Sequence, residues 1–118
     1  MTTPGHQPEY VFDQVQIGRG MRPLAQHGFI TVDRGVLSLL GSDQRLIASA
    51  PIPEITWKRT ALTRGKNLSL VINGTKYFVS PGWGNHVGDV VMPGQTKDVQ
   101  AAVHALRVVL AQHGGIAA

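Results

Sequence analysis

Leu68-Ser69-Leu70-Val71-Ile72, then Asn73-Gly74, then Thr75-Lys76-Tyr77-Phe78-Val79-Ser80 is the stretch that decides the fold. Two runs rich in β-branched and aromatic residues flank a dipeptide that tolerates positive φ at both central positions of a type I′ turn. A hairpin is the expected result. Working backwards, Gly28-Phe29-Ile30-Thr31-Val32 and Val36-Leu37-Ser38-Leu39-Leu40 stand on either side of Asp33-Arg34-Gly35 and read as a second hairpin. Arg45 to Ser49 and Glu54 to Lys58 read as a third and fourth strand, separated by a stretch containing Pro51 and Pro53.

The flanks are weaker. Tyr10, Phe12, Val15 and Ile17 alternate only in part, which predicts a short edge strand or a packed arm. Gly18-Arg19-Gly20 reads as a flexible turn, since it lacks the helix and the Lys-Ser/Thr of a phosphate loop. Residues 1–9 hold two prolines, a glycine and few apolar groups, so they are expected to be a flexible leader before a single domain at 10–118. After the hairpin, Gly82 to Asn85 reads as a loop around Trp83, and His86 to Met92 as one more short strand.

The final element has another period. From Thr96 to His113 there is no Gly or Pro, and Val99, Ala102, Val103, Leu106, Val109 and Leu110 recur at helical spacing. Asp98 near the start and Arg107 near the end suit the helix dipole, and Gly114-Gly115 supplies the stop. The expected fold is therefore mainly β (α+β), with about seven short antiparallel strands in two sheets, closed by one C-terminal helix at about 96–113.

Composition narrows the chemistry. With 118 residues, one core is the working assumption. There is no cysteine, which removes disulfides, thiolate metal sites and thiol nucleophiles. No stretch approaches the roughly 20 apolar residues that span a bilayer, and residues 1–10 lack the pattern of a signal peptide, so a cytoplasmic protein is expected. The net charge of +4 is a mild basic bias.

The strand order and the wording of several segments resemble bacterial pleckstrin-homology-like (GRAM-like) domains. The segments are Gly28 to Val32, Val36 to Leu40, Ala50-Pro51-Ile52-Pro53-Glu54-Ile55, and Leu70-Val71-Ile72-Asn73-Gly74-Thr75-Lys76-Tyr77-Phe78-Val79. The resemblance covers about residues 21–113. It implies a partly open barrel of two nearly orthogonal sheets plugged by the helix, and a binding module for phosphoinositide headgroups, other lipids or peptides. Headgroup-binding members carry several Lys and Arg around the loop joining the first two strands. On the sequence reading that loop is Asp33-Arg34-Gly35, one cation beside one anion.

The expected function is thus a non-catalytic adaptor for a protein or peptide partner, or for a second copy of the chain. The alternative is a peripheral anionic-lipid binder using the basic 58–66 loop, with Lys58, Arg59, Arg64 and Lys66 as contacts. A small enzyme or ligand carrier ranks third. Nucleic acid is disfavoured, because no stacking aromatics interleave with these cations. Trp57 reads as a core residue; Trp83, among glycines, reads either as an exposed anchor for a partner or as a staple for its own loop.

Catalysis lacks a signature. There is no GxSxG elbow, no HExxH and no paired carboxylate spacing. His104 and His113 are nine residues apart on the helix, hence on opposite faces at about 100° per residue. No metal and no cofactor is expected.

Overall fold

The computed structural model describes the backbone of residues 8–59, 68–80, 84–87, 90–93 and 96–117, and the side chains of 8–59, 68–80 and 101–117. The fold is mainly β, with one C-terminal helix. Strands β1 (Tyr10–Arg19), β2 (Arg22–Asp33), β3 (Val36–Leu40) and β4 (Leu46–Pro51) form a meander; a 3-10 turn at Ile52–Glu54 leads to β5 (Thr56–Arg59), β6 (Leu68–Ile72) and β7 (Thr75–Ser80). β8 (Gly84–Val87) and β9 (Val90–Pro93) follow, then helix α1 (Thr96–Gln112) and β10 (Ile116–Ala117).

Two sheets of seven strands in all are not what forms. A single curled half-barrel of eight strands runs β10-β5-β6-β7-β1-β2-β3-β4, with β8-β9 as a separate ribbon. The physical reason is β1. It is a ten-residue strand at the centre of the sheet rather than a short edge strand or an arm, pairing with β2 from Tyr10 to Arg19 and with β7 at Gln16, Ile17 and Gly18. One strand shared by both groups makes the sheet continuous. Three register shifts along the β1–β2 ladder bend it, and Gln14, at φ 53°, sits inside one of them. Its side-chain oxygen lies 2.8 Å from His27 Nδ1, so the buried amide at the bulge is paired.

The tight turns carry the expected chemistry. Asn73 and Gly74 take φ of 52° and 80°, and Arg34 and Gly35 take 52° and 76°, so both loops have the positive dihedrals of a I′ hairpin. Asn73 does more than turn the chain. Its Nδ2 donates to the Ser49 carbonyl oxygen at 3.1 Å, joining the β6–β7 turn to β4 across the open side of the half-barrel. Asn73→Gly keeps the turn and removes that bond, for an expected loss of about 1 kcal/mol. Asn73→Ala removes the same bond but keeps a Cβ at positive φ without the short polar side chain that lets asparagine tolerate it, and should lose about 1–2 kcal/mol more. Asn73→Gly melting with the parent would show that the cross-seam bond contributes nothing, and equal melting of the two variants would show that the positive φ carries no penalty for alanine.

The core is apolar and continuous. Inward residues of the sheet, including Val15, Ile17, Ile30, Leu37, Leu39, Leu68, Leu70 and Ile72, pack with Ile52 and Ile55 and with Val103, Leu106, Val109 and Leu110 of α1. The helical stripe is buried as its spacing predicts, at the positions from 103 onward whose side chains are described.

Helix α1 ends in a Schellman turn: Gly115 N–H donates to the Leu110 carbonyl at 2.7 Å, Gly114 N–H to Ala111 at 3.3 Å, and Gly114 has φ 87°. The chain then adds β10 in parallel to β5, with Ile116 N–H donating to the Ile55 carbonyl at 2.9 Å. No local pattern announces this two-residue strand. Gly84 and Asn85, expected in a loop, are already part of β8. Among the described residues no helix is long and apolar enough to cross a membrane.

Candidate functional site: the basic tip of the first hairpin

The turn joining the first two strands is Gly20-Met21, flanked by Arg19 and Arg22, which face each other in register. It is not Asp33-Arg34-Gly35, which joins β2 to β3 at the far end of the molecule. That far end is acidic: the Glu9 carboxylate accepts the Arg34 N–H at 2.6 Å, and Glu54 lies in the 3-10 turn that follows β4.

The expected basic set is only partly described. Lys58 and Arg59 are exposed at the end of β5, while Arg64, Lys66 and Trp83 lie outside the described residues. Arg59 pairs with Leu68, Leu68 with Val79, and Val79 with Ile17, so one row crosses four strands. Beyond Gly18, β1 runs on toward the Thr75 end of β7 and the Thr56 end of β5, so the β1–β2 turn points toward the end that carries Lys76 and the Asn73-Gly74 turn, and away from Arg59. The next row runs Lys58, Ser69, Phe78, Gly18 on the outer face. At about 4.8 Å per strand, Lys58 and Gly18 stand roughly 14 Å apart along it.

Lys76 is also exposed, and its Nζ lies 5.9 Å from the centre of the Phe78 ring. Beside Phe78, the β1–β2 hairpin encloses a shallow depression of about 360 Å³ bordered by Gln16, Gly18, Gly20, Met21, Arg22 and Gln26.

The segregation of charge becomes visible once the sheet is assembled. Residues 14–32 and residues 55–88 contain neither Asp nor Glu. The β1–β7 pairing places these two segments side by side: Arg19 and Arg22 at the hairpin tip lie toward the end of β7 that carries Lys76, Lys58 and Arg59 lie toward its other end, and no described acid stands on β5, β6, β7 or the hairpin tip. The acids with described side chains lie at Glu9, Asp13, Asp33, Asp43 and Glu54, and Asp43 is 3.4 Å from Arg45. Sequence reasoning missed Arg19, Arg22 and Lys76. The spacing of acidic residues was the signal that could have found them.

Other candidates fall elsewhere. Trp57 is half-buried against the core, as its strand position predicts, with the Arg107 guanidinium 5.7 Å from its ring centre. Trp57 Nε1 and Arg107 Nε are buried without an acceptor among the described residues. His113 meets Tyr10 edge-on at 6.2 Å, and His104 is exposed. Among the described residues no group of His, Asp and Glu is arranged to hold a metal ion.

No family model matches the chain. No curated protein matches it either. The functional reading therefore rests on the geometry of the surface.

Proposed function

We propose that this chain is a non-catalytic binding module of the pleckstrin-homology-like type, docking on an anionic lipid surface through the β1–β2 turn and the neighbouring outer face. The fold reading draws on the division of β1–β7 into a meander of four and a meander of three, joined at β1 and followed by a helix. The carrying observation for function is the acid-free hairpin tip, where the exposed Arg19 and Arg22 flank the turn and the exposed Lys76 lies toward the same end of β7. A cytoplasmic leaflet attracts such a patch by about 1 kcal/mol per Lys or Arg close to it, and salt screens the attraction. On this reading the protein is cytoplasmic and peripheral to the membrane.

The ranking reverses the sequence expectation because the relevant loop is basic, not mixed. The sheet edges, which a peptide or a second copy would extend, are also partly closed. Asn73 occupies the Ser49 carbonyl beside β4, Pro51 lacks a donor, and β10 lies on Thr56 and Trp57 of β5. Protein interaction or self-association remains the second reading, favoured by the exposed apolar side chains Leu46 (62%) and Ile116 (52%) at the two edges.

Sedimentation with vesicles of neutral lipid, and of neutral lipid containing phosphatidylserine, tests the proposal. The protein is expected to sediment only with the anionic vesicles and to be released by high salt. Arg19→Glu combined with Arg22→Glu should lower binding at least about tenfold, with an unchanged melting temperature. Equal binding to neutral vesicles, or no binding to either, overturns the lipid reading. Concentration-dependent self-association in the same preparation would move the weight to the second one.

A further inference from the structure

Met21 is 102% exposed, standing clear of the fold at the tip of the β1–β2 hairpin. Gly20, at φ 59°, takes the first of the two central positions, and the loop is held by the Arg19–Arg22 pair. A two-residue loop with glycine first is the compact II′ kind of hairpin, so the side chain is presented on a short, tied tip. A fully exposed apolar side chain flanked by two guanidinium groups has no packing role in the monomer. Its apolar thioether matches the acyl boundary of a bilayer, and its neighbours match anionic headgroups.

The chain has no cysteine and three methionines, so thioethers are its only sulfur groups. Met1 and Met92 lie outside the described side chains; Met21 is fully exposed to solvent.

We infer that Met21 is an oxidisable membrane anchor, a modification site at which peroxide converts an apolar contact into a polar one and weakens docking. The inference rests on the lipid reading above. In the reaction the peroxide O–O bond breaks, one oxygen forms an S–O bond with Met21 Sδ, and the other leaves as water. The sulfur loses two electrons to the peroxide, giving methionine sulfoxide, which methionine sulfoxide reductases return to the thioether. Met21 contacts no core residue, so the modification acts on binding and leaves folding alone.

The experiment uses the full chain, treated with hydrogen peroxide until mass spectrometry shows one added oxygen at Met21, and vesicles with and without phosphatidylserine. Untreated protein is expected to prefer the anionic vesicles. Oxidised protein should bind them about tenfold more weakly at the same melting temperature, and reductase treatment should restore binding. Met21→Leu should bind like the untreated protein and keep its binding after peroxide, while Met21→Gln should bind like the oxidised form. Full binding by the Met21-oxidised protein overturns the inference and leaves the lipid reading standing. So does an equal peroxide-induced loss in Met21→Leu, which would assign the effect to another residue. If untreated protein ignores anionic vesicles, both readings fall together.

Discussion

Leu106→Asp is expected to abolish the cooperative thermal transition. Leu106 is 0% exposed on the face of α1 that packs with Val103, Val109 and Leu110 into the sheet core. A carboxylate there loses its water without gaining a partner, and it also removes apolar volume from the contact between helix and sheet. The expected cost exceeds about 4 kcal/mol, a large share of the roughly 5–15 kcal/mol by which a domain of this size is stable. Val108→Asp is the control. Val108 is 39% exposed on the same helix, and its substitution should stay within about 1 kcal/mol of the parent. Circular dichroism melts of the two variants make the comparison, and a cooperative melt retained by Leu106→Asp would mean that α1 does not close the core.

Gly28→Ala should be the second most damaging change, although it adds a single methyl group. A Cβ at Gly28 would lie 2.5 Å from the Leu40 carbonyl oxygen, 3.0 Å from Ile17 Cδ1 and 3.1 Å from Ala25 Cβ. Side chains can give way, but the Leu40 carbonyl belongs to the ladder in which Phe29 faces Leu40, so β3 must shift or the ladder must open. Overpacking of this kind costs about 2–3 kcal/mol, which corresponds to a melting temperature lower by roughly 10 °C. Gly35→Ala provides the contrast: a Cβ there meets nothing within 4 Å, and only the positive φ of 76° penalises it, by about 1 kcal/mol. If Gly28→Ala melted at or above Gly35→Ala, the close approach of β2 to β3 would be refuted.

The comparison of these two glycines shows where sequence reading stops. Gly35 is legible because a two-residue hairpin loop calls for positive φ, a demand made by its immediate neighbours. By sequence Gly28 reads as the start of a strand. Its role comes from a carbonyl twelve residues away, and no local pattern encodes that distance.

The functional surface divides in the same manner. Lys58 and Arg59 read as a basic cluster because they are adjacent in sequence. Arg19 and Arg22 do not read as one, since Gly18, Gly20 and Pro23 break the alternation that marks a strand. The β1–β7 pairing joins the two acid-free segments, and β1 takes part only because its bulges let one strand serve both groups.

By itself, then, the sequence determined the elements whose causes are local. These are the Asn73-Gly74 and Arg34-Gly35 hairpins, made by residues that accept positive φ, and the C-terminal helix with its buried stripe, made by a 3.6-residue period and a double-glycine stop. Tertiary structure alone decided the rest: the central place of β1, the single curled sheet in place of two, the two-residue β10 on the edge of β5, and the placing of Lys76 toward the same end as Arg19, Arg22 and the exposed Met21. Each depends on pairing between segments far apart in the chain, where the free energy comes from burying a shared face and satisfying the ladder between strands, not from the preference of any residue for its neighbours.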